Sequence, residues 1–185
     1  DNLRGQPTYF FNSHDEIRAF DRYGDGVHNE AIAKLMATLM LCARATPVMY
    51  YGEEIGMKTA TPTRREDARD MDGVRNWPRK KGRDGERTPM QWDATRNAGF
   101  STGSTWLPIP DIFLSHNVAS EAADPASILA YYKRLLHLRH TLSPLTTGAY
   151  SAVDRQNPNV LSFVRKGEKG KPSVLVALNM SGAPQ

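Results

Sequence analysis

Ionisable side chains follow abruptly on an apolar and aromatic run near the start of the chain. The run from Thr8 to Phe11 is typical of a short buried strand, and His14, Asp15 and Arg18 come soon after it. A strand that ends in such a cluster is where an α/β barrel or an open α/β sheet places its chemistry. His14 and Asp15 are the strongest candidates, because imidazole and carboxylate groups serve in proton transfer and charge stabilisation. The alternative is that the two residues only cap a helix or lie in a solvated turn.

The segments around this cluster predict a strand–helix–strand unit. An amphipathic helix is predicted over residues 31–43, because apolar residues recur there at intervals of one and three, with Asn29 or the turn before it as the cap. Val48–Tyr51 is predicted to form a second short buried strand, which Glu53 and Glu54 follow. Strands joined through a helix run parallel, so both polar clusters are expected at the same carboxyl edge of the sheet.

Residues 58–120 form a long segment that is rich in Gly and Pro and has no sustained periodicity. Segments of this kind are usually functional or disordered. Its aromatic residues, which include Trp77, Trp92 and Trp106, need something to pack against. We therefore expect an ordered excursion that lies over the mouth of a cleft.

The C-terminal part of the chain changes from helical to strand periodicity. A helix is predicted over residues 128–142, with a boundary marked by Pro144 and Gly148. Beyond it, Val160–Arg165 and Ser173–Asn179 have the composition of a β-hairpin. The hairpin is expected to begin a separate β-domain that is cut off at the end of the chain.

Composition and charge exclude several classes of protein. The chain has 185 residues, a hydrophobic fraction of 39% and a net charge of +4, which are ordinary values for a globular protein. Acidic residues are interspersed among the basic ones, so no nucleic-acid partner is expected. The longest apolar helix is too short for a membrane and carries Lys34, so no membrane partner is expected either.

Motifs for metals, cofactors and targeting do not stand out. The histidines have no metal-ligand spacing, and the chain has no redox motif or phosphate-binding glycine loop, so no metal or cofactor is expected. The single cysteine, Cys42, is expected to be a small buried apolar residue. The chain starts without Met, in what resembles the loop before an internal strand, so we expect a fragment of a longer protein. Its expected location is cytoplasmic, and the lack of a signal peptide at such a start carries little weight.

Three stretches of the chain resemble signatures of one family. Residues 12–18, N-S-H-D-E-I-R, resemble the fourth signature of the α-amylase superfamily, glycoside hydrolase family 13, usually written N-H-D-x-x-R after barrel strand seven. Residues 46–57 resemble its strand-eight signature. Residues 83–93 resemble the R-D-x-x-R-T-P-M-Q-W of the α-glucosidase, oligo-1,6-glucosidase and trehalose-synthase branch, and residues 97–101 extend that match.

The resemblance implies an α/β fold, the C-terminal part of a (β/α)8 TIM barrel with strands seven and eight and their helices. Residues 1–145 are then the barrel portion, with the excursion at 58–120 included. Residues 146–185 are then the truncated beginning of an all-β C-terminal domain, a β-sandwich.

The resemblance also implies a retaining glycoside hydrolase that releases α-linked glucose from short oligosaccharides such as maltose or isomaltose. The nucleophile and the acid of this family follow strands four and five, upstream of Asp1, so the fragment alone is expected to be inactive. Asp15 matches the third carboxylate, which hydrogen-bonds the sugar hydroxyls and stabilises the charged transition state. His14 is implied to hydrogen-bond the same hydroxyls.

The remaining candidate site residues have alternative roles. Arg87 is implied to hold the terminal glucose, unless it only pairs with Asp84 or Glu86 in its own loop. Arg18 and Glu53 are candidate substrate contacts, although bracing of the catalytic loop is the more expected role of Arg18. The three tryptophans of the excursion can stack on sugar rings, but such residues more often pin a loop.

Two other functions remain open at this point. An intramolecular isomerase of the trehalose-synthase type would share the same residues, and a non-catalytic family member would act as a binding subunit. The preference between α-1,4 and α-1,6 links is expected to depend on residues near strand five, upstream of this chain. The sequence makes no prediction of the oligomeric state.

Overall fold

The computed structural model describes residues 5–185, which divide into two compact units interleaved along the chain. The first unit contains residues 5–10, Lys34–Val48 and Tyr132–Gln185. The second unit contains Phe11–Ala33 and Met49–Tyr131. Within residues 5–185, no helix is long and apolar enough to cross a membrane.

Two short parallel strands open the first unit. Strand β1 (Thr8–Tyr9) pairs with β2 (Thr46–Pro47), which confirms the predicted parallel strand–helix–strand connection. The backbone N–H of Thr46 donates to the carbonyl of Pro7 at 2.9 Å, and that of Val48 to the carbonyl of Tyr9 at 2.8 Å. Pro47 lies between these two donors, where its missing N–H costs no bond to β1.

The predicted strand positions are wrong in two respects. The first strand ends at Tyr9 instead of Phe11, and the second is Thr46–Pro47 instead of Val48–Tyr51. After the last ladder bond the chain turns, and the N–H of Glu53 donates to the carbonyl of Tyr50. The strands are also not buried, because a sheet of only two strands leaves both of its edges open among residues 5–185, and Tyr9 is 42% exposed.

Helix α2 (Asn29–Cys42) connects the two strands, as the apolar spacing predicts. Its buried residues are Met36, Ala37, Met40, Leu41 and Cys42. The burial of Cys42 confirms the predicted role of this side chain. Asn29 is the first residue of the helix and not a cap ahead of it, and its side chain accepts a hydrogen bond from the N–H of Gly26.

Two arginines, one of them buried, hold the C-terminal end of α2. Arg165 is fully buried and donates from Nη1 to the carbonyls of Cys42 and Ala43 at 2.8 and 2.6 Å. Arg139 donates from Nη1 to the carbonyl of Leu41 at 2.6 Å. The last carbonyls of a helix have no partner within it, so these guanidinium groups serve as caps supplied from distant parts of the sequence.

The first unit ends in a three-stranded antiparallel sheet. Strands β3 (Ala149–Val153), β4 (Val160–Lys166) and β5 (Val174–Asn179) pair in the order β3-β4-β5, and Phe163 and Val176 lie in its core. The predicted hairpin is confirmed as β4 and β5. Strand β3 was not predicted from the sequence, because its residues do not alternate between buried and exposed and it follows directly on the short helix that begins at Ser143. The predicted domain boundary after residue 145 stays a prediction.

The second unit is built from short helices and irregular backbone. The structure has α1 (Ala19–Arg22), α3 (Met71–Asn76) and α4 (Val118–Ala123) in this unit. Helix α5 (Ile128–Thr141), close to its predicted bounds, begins in this unit, and α6 (Ser143–Thr146) follows in the first. Segment 58–120 is punctuated by single turns of 3-10 helix, one of which, Asp84–Glu86, lies in the site described next.

Candidate active site

The segment after β1 carries the predicted catalytic carboxylate on irregular backbone of the second unit. Asp15 is half-exposed, and its backbone N–H donates to Ser13 Oγ at 3.2 Å. This local turn presents the carboxylate outward, away from the buried Asn12 and Arg18 on either side of it. Buried residues therefore anchor the segment at both ends, and the carboxylate between them is accessible.

Three cationic or ionisable side chains surround the carboxylate of Asp15. Arg83 Nη1 and Arg87 Nη2 both contact Oδ1, at 2.8 and 3.0 Å. His14 Nε2 lies 3.3 Å from the other oxygen, Oδ2. Desolvation would raise the pKa of Asp15, but the hydrogen bond from Arg83 and the nearby charges of His14 and the arginines hold it below its usual value. Asp15 is therefore a carboxylate at neutral pH.

Arg87 ties the segment after β1 to the 3-10 turn at Asp84–Glu86. Its Nε donates to the backbone carbonyl of His14 at 2.9 Å, while Nη2 reaches Asp15. The observed ion pair is with Asp15, and not with the two acids of its own loop. The structure thus brings together His14, Asp15 and Arg87, and the contact of Arg87 with a terminal glucose stays a prediction.

Arg18 lies beneath the site, with a side chain that is only 1% exposed. Its Nη1 donates to the carbonyl of Tyr51 at 2.7 Å and its Nη2 to the carbonyl of Glu86 at 2.8 Å. The guanidinium also lies over the rings of Tyr50 and Tyr51, 5.2 and 4.8 Å from their centroids. Burial lowers the pKa of Arg18. These contacts favour the bracing role over the predicted contact with substrate.

Glu53 is also directed inward. It is 8% exposed, and its Oε2 accepts hydrogen bonds from Asn12 Nδ2 at 2.7 Å and from the N–H of Tyr50 at 3.3 Å. Asn12 in turn accepts from the N–H of Ala19 at 2.6 Å. The geometry therefore favours a structural role for Glu53, which joins the segments that follow the two strands, over the predicted contact with substrate.

Two residues of the site were not predicted from the sequence. Arg83 contacts Asp15, and its Nε donates to Asp70 Oδ2 at 2.7 Å. Arg83 opens the R-D-x-x-R motif, four positions before Arg87, and that repeat of arginines was a usable signal. Asp70 has no such signal, because it lies outside the motif at residues 83–93.

The chemistry available here is that of one oriented, ionised carboxylate. Such a group can accept hydrogen bonds from hydroxyls and stabilise positive charge that develops beside it. Cleavage of a glycosidic bond with retention needs two further carboxyl groups about 5 Å apart. Within residues 5–185, no three His, Cys, Asp or Glu side chains form a group that could hold a metal ion.

Comparison with known proteins agrees with this reading of the site. Residues 2–148 match the model of the alpha amylase catalytic domain. The chain is 34% identical over 184 residues to a probable oligo-1,6-glucosidase of Bacillus subtilis, covering 90% of this chain and 33% of that protein. It is 38% identical over 178 residues to a probable alpha-glucosidase of Rhizobium meliloti, covering 96% of this chain and 32% of that protein. The chain thus spans about a third of the length of these curated relatives.

Solved structures give the same picture. The trehalulose synthase of Pseudomonas mesoacidophila superposes with a TM-score of 0.85 at 32% identity, over 100% of this chain and 36% of that chain. The trehalose-6-phosphate hydrolase of Bacillus licheniformis superposes with a TM-score of 0.83 at 32% identity, over 96% of this chain and 35% of that chain. His14, Asp15 and Arg87 all lie within residues 2–148, which match the catalytic-domain model.

Proposed function

Because the chain belongs to the α-amylase catalytic-domain family, glycoside hydrolase family 13, we propose that it is part of a retaining enzyme that releases α-linked glucose from short oligosaccharides. The chain has an α/β fold and is a fragment of a TIM barrel. We assign it to the C-terminal part of that barrel, followed by the beginning of a β-domain that contains β3, β4 and β5.

The observation that carries this proposal is the state of Asp15. Its carboxylate is ionised, half-exposed and held by two arginines through Oδ1, so Oδ2 is the oxygen directed to a ligand. In glycoside cleavage the sugar ring becomes oxocarbenium-like and positively charged. A hydrogen bond from a ring hydroxyl to Asp15 strengthens as that charge develops, and this lowers the barrier more than it tightens substrate binding.

His14 and Arg87 complete the contact with the terminal sugar in this proposal. The imidazole of His14 has Nε2 3.3 Å from Oδ2 of Asp15 and is 64% exposed, so it can donate to the same hydroxyls. Arg87 has two donors committed to His14 and Asp15, and its remaining N–H groups can reach a neighbouring hydroxyl. Arg18 and Glu53 hold the loops beneath these residues.

The bond-breaking groups are proposed to lie outside this chain. A retaining mechanism uses one carboxylate as nucleophile and one carboxylic acid as proton donor. In the family these follow barrel strands four and five, and the relatives are about three times as long as the matched region. The 185-residue chain alone is therefore expected to be inactive, and the full-length protein is the enzyme to assay.

The proposed substrates are maltose, isomaltose and similar short α-glucosides. The relatives named for oligo-1,6-glucosidase and alpha-glucosidase activity support this class. A second candidate, an α-glucoside isomerase, is favoured by the close superposition on a trehalulose synthase. Product analysis separates the two, because the hydrolase yields free glucose and the isomerase yields a rearranged disaccharide.

A non-catalytic binding subunit is the least supported of the three functions. Such a protein has no chemical need for an ionised carboxylate anchored by two arginines. Retention of Asp15, His14 and Arg87 in one cluster therefore counts against it.

The test is the Asp15→Ala variant of the full-length protein, assayed on a chromogenic α-glucoside and on maltose and isomaltose. Loss of this transition-state contact should lower kcat by about 100- to 1000-fold or more. The exposed Asp111 offers a matched control, and Asp111→Ala should leave kcat within about twofold. Circular dichroism and thermal melting check that both variants fold, and an unchanged rate for Asp15→Ala would refute the assignment.

A further inference from the structure

Asp15 is connected to a buried carboxylate through a single arginine. Arg83 Nη1 donates to Asp15 Oδ1 at 2.8 Å. The other edge of the same guanidinium donates to Asp70, from Nε to Oδ2 at 2.7 Å and from Nη2 to Oδ1 at 3.3 Å. Arg83 therefore lies between an exposed carboxylate and a buried one, in the two-point geometry that fixes a guanidinium most firmly.

Asp70 is itself rigidly held. Its backbone N–H donates to both oxygens of Asp84, at 3.0 and 2.9 Å, and its own carboxylate accepts from the N–H of Asp72 and caps helix α3. Asp70 also accepts from the backbone N–H of Arg83 at 2.9 Å. Asp70 and Asp84 are buried, so the linked residues Asp84, Asp70 and Arg83 form a fixed support. Arg83 connects this support to Asp15.

The backbone around Arg83 packs too tightly to move independently of this support. Gly82 has φ of +74°, and a Cβ added there would lie 2.8 Å from the Cβ of Asp70. A Cβ added at Gly73 in helix α3 would lie 2.5 Å from the carbonyl oxygen of Lys81. The turn that carries Arg83 is thus pressed against the helix that Asp70 caps.

We propose that Arg83 is a positioning residue that, backed by Asp70, anchors Asp15 through Oδ1 and leaves Oδ2 oriented toward the hydroxyls of the reacting sugar. This inference rests on the proposed function and adds two residues to it. Arg87 shares the same oxygen but also donates to the His14 carbonyl, so it joins loops as well as holding Asp15. Arg83 has no second role at the site other than its link between the two carboxylates.

Positioning predicts a loss of rate with little loss of binding. Displacement of a catalytic group by about 1 Å can cost on the order of 100-fold in rate. In the full-length enzyme, Arg83→Gln and Asp70→Asn should each lower kcat by roughly 10- to 100-fold, with KM changed by less than about threefold. Asn is as good a helix N-cap as Asp, so Asp70→Asn can keep the cap through its amide oxygen. The substitution removes the charge and the second oxygen, Oδ2, which accepts from Nε and the backbone N–H of Arg83. Arg83→Lys should recover only part of the rate, because an ammonium cannot bridge both carboxylates with the same geometry.

The matched control is Arg79→Gln, which removes the same charge from an exposed position of the same segment. This variant should keep the wild-type kcat. A general effect of positive charge on the site would instead lower the rate in both variants.

A double-mutant comparison decides whether Arg83 acts through Asp15. If it does, Arg83→Gln should have little further effect on the residual activity of Asp15→Asn, whereas independent effects would multiply. Lost thermal stability with an unchanged kcat, or multiplying effects in the double variant, would overturn the inference. A full-length wild-type enzyme that does not act on any α-glucoside would refute the proposed function itself, which is a different result.

Discussion

Asn12 donates a hydrogen bond of 2.7 Å from Nδ2 to Oε2 of Glu53, a residue 41 positions further along the chain. The other end of the same amide accepts from the backbone N–H of Ala19 at 2.6 Å. One buried side chain thus joins the segment that carries Asp15 to the segment that follows β2. The two polar clusters that the sequence places after two strands meet through this contact, beneath the exposed site.

Asn12→Ala should lower the free energy of unfolding by about 1–3 kcal/mol, because it removes a buried hydrogen bond to Glu53 and the acceptor of the Ala19 N–H. Urea denaturation of the full chain measures this change. Asn159→Ala, at an exposed asparagine, serves as the control and should stay within about 0.5 kcal/mol of wild type. Equal midpoints and slopes for both variants would contradict the structural role.

Arg18→Lys should destabilise the protein even though it keeps the charge. The ammonium cannot reach the carbonyls of Tyr51 and Glu86 together, and it loses the planar contact with the two tyrosine rings. We expect a loss of about 2–3 kcal/mol in the free energy of unfolding. Arg75→Lys, at an exposed position of helix α3, is the comparison and should have almost no effect. If both substitutions had the same small effect, Arg18 would not be the brace inferred here.

Arg165→Met should have the largest effect on stability of these variants. The substitution keeps much of the side-chain volume but removes the guanidinium that donates to the carbonyls of Cys42 and Gly148 in a buried region. We expect about 3–5 kcal/mol of lost stability. The exposed Arg155, in the turn between β3 and β4, provides the Arg155→Met control, which should be nearly neutral. Thermal melting of the two variants gives the comparison.

The Asp70–Arg83 pair should make stability depend on pH in a defined direction. The hydrogen bonds from Arg83, acting against partial desolvation, hold the pKa of Asp70 well below its usual value of about 3.9. A group with a depressed folded-state pKa contributes its full stability above the unfolded-state pKa and loses it as the pH falls through the folded-state value. The stability difference between wild type and Asp70→Asn should therefore be constant from pH 7 to about 5 and shrink below about pH 4.

Urea denaturation of both proteins at pH 7, 5, 4 and 3.5 measures this dependence. A stability difference between wild type and Asp70→Asn that stays constant down to pH 3.5 would show that the charge of Asp70 does not contribute to stability. The Asp111→Asn variant, at an exposed carboxylate, should follow the wild-type curve throughout.

Local periodicity predicted the two long helices, α2 and α5, and the hairpin, but none of the four short helices. Helix α2 was predicted because its apolar residues repeat at helical spacing, and β4 and β5 because both strands alternate around a Gly-containing turn. The short strands were misplaced because their bounds depend on pairing. Val48–Tyr51 has the composition of a strand, but the ladder with β1 ends at Val48.

Signature motifs indicated a set of candidate site residues, but not what each one touches. His14, Asp15 and Arg87 are together in the structure, whereas Arg18 and Glu53 face inward. The direction of a side chain in irregular backbone depends on distant partners, such as Asn12 for Glu53. For the same reason Asp70, which reaches Asp15 only through Arg83, had no signal of its own.

One cap of helix α2 comes from a part of the chain that is synthesised late. Arg165 is made 123 residues after Cys42, whose carbonyl it holds. A growing chain can coil α2 early, but the C-terminal end of that helix acquires this donor only when β4 has left the ribosome. The contact between Arg165 and the Cys42 carbonyl therefore cannot form before β4 has been synthesised.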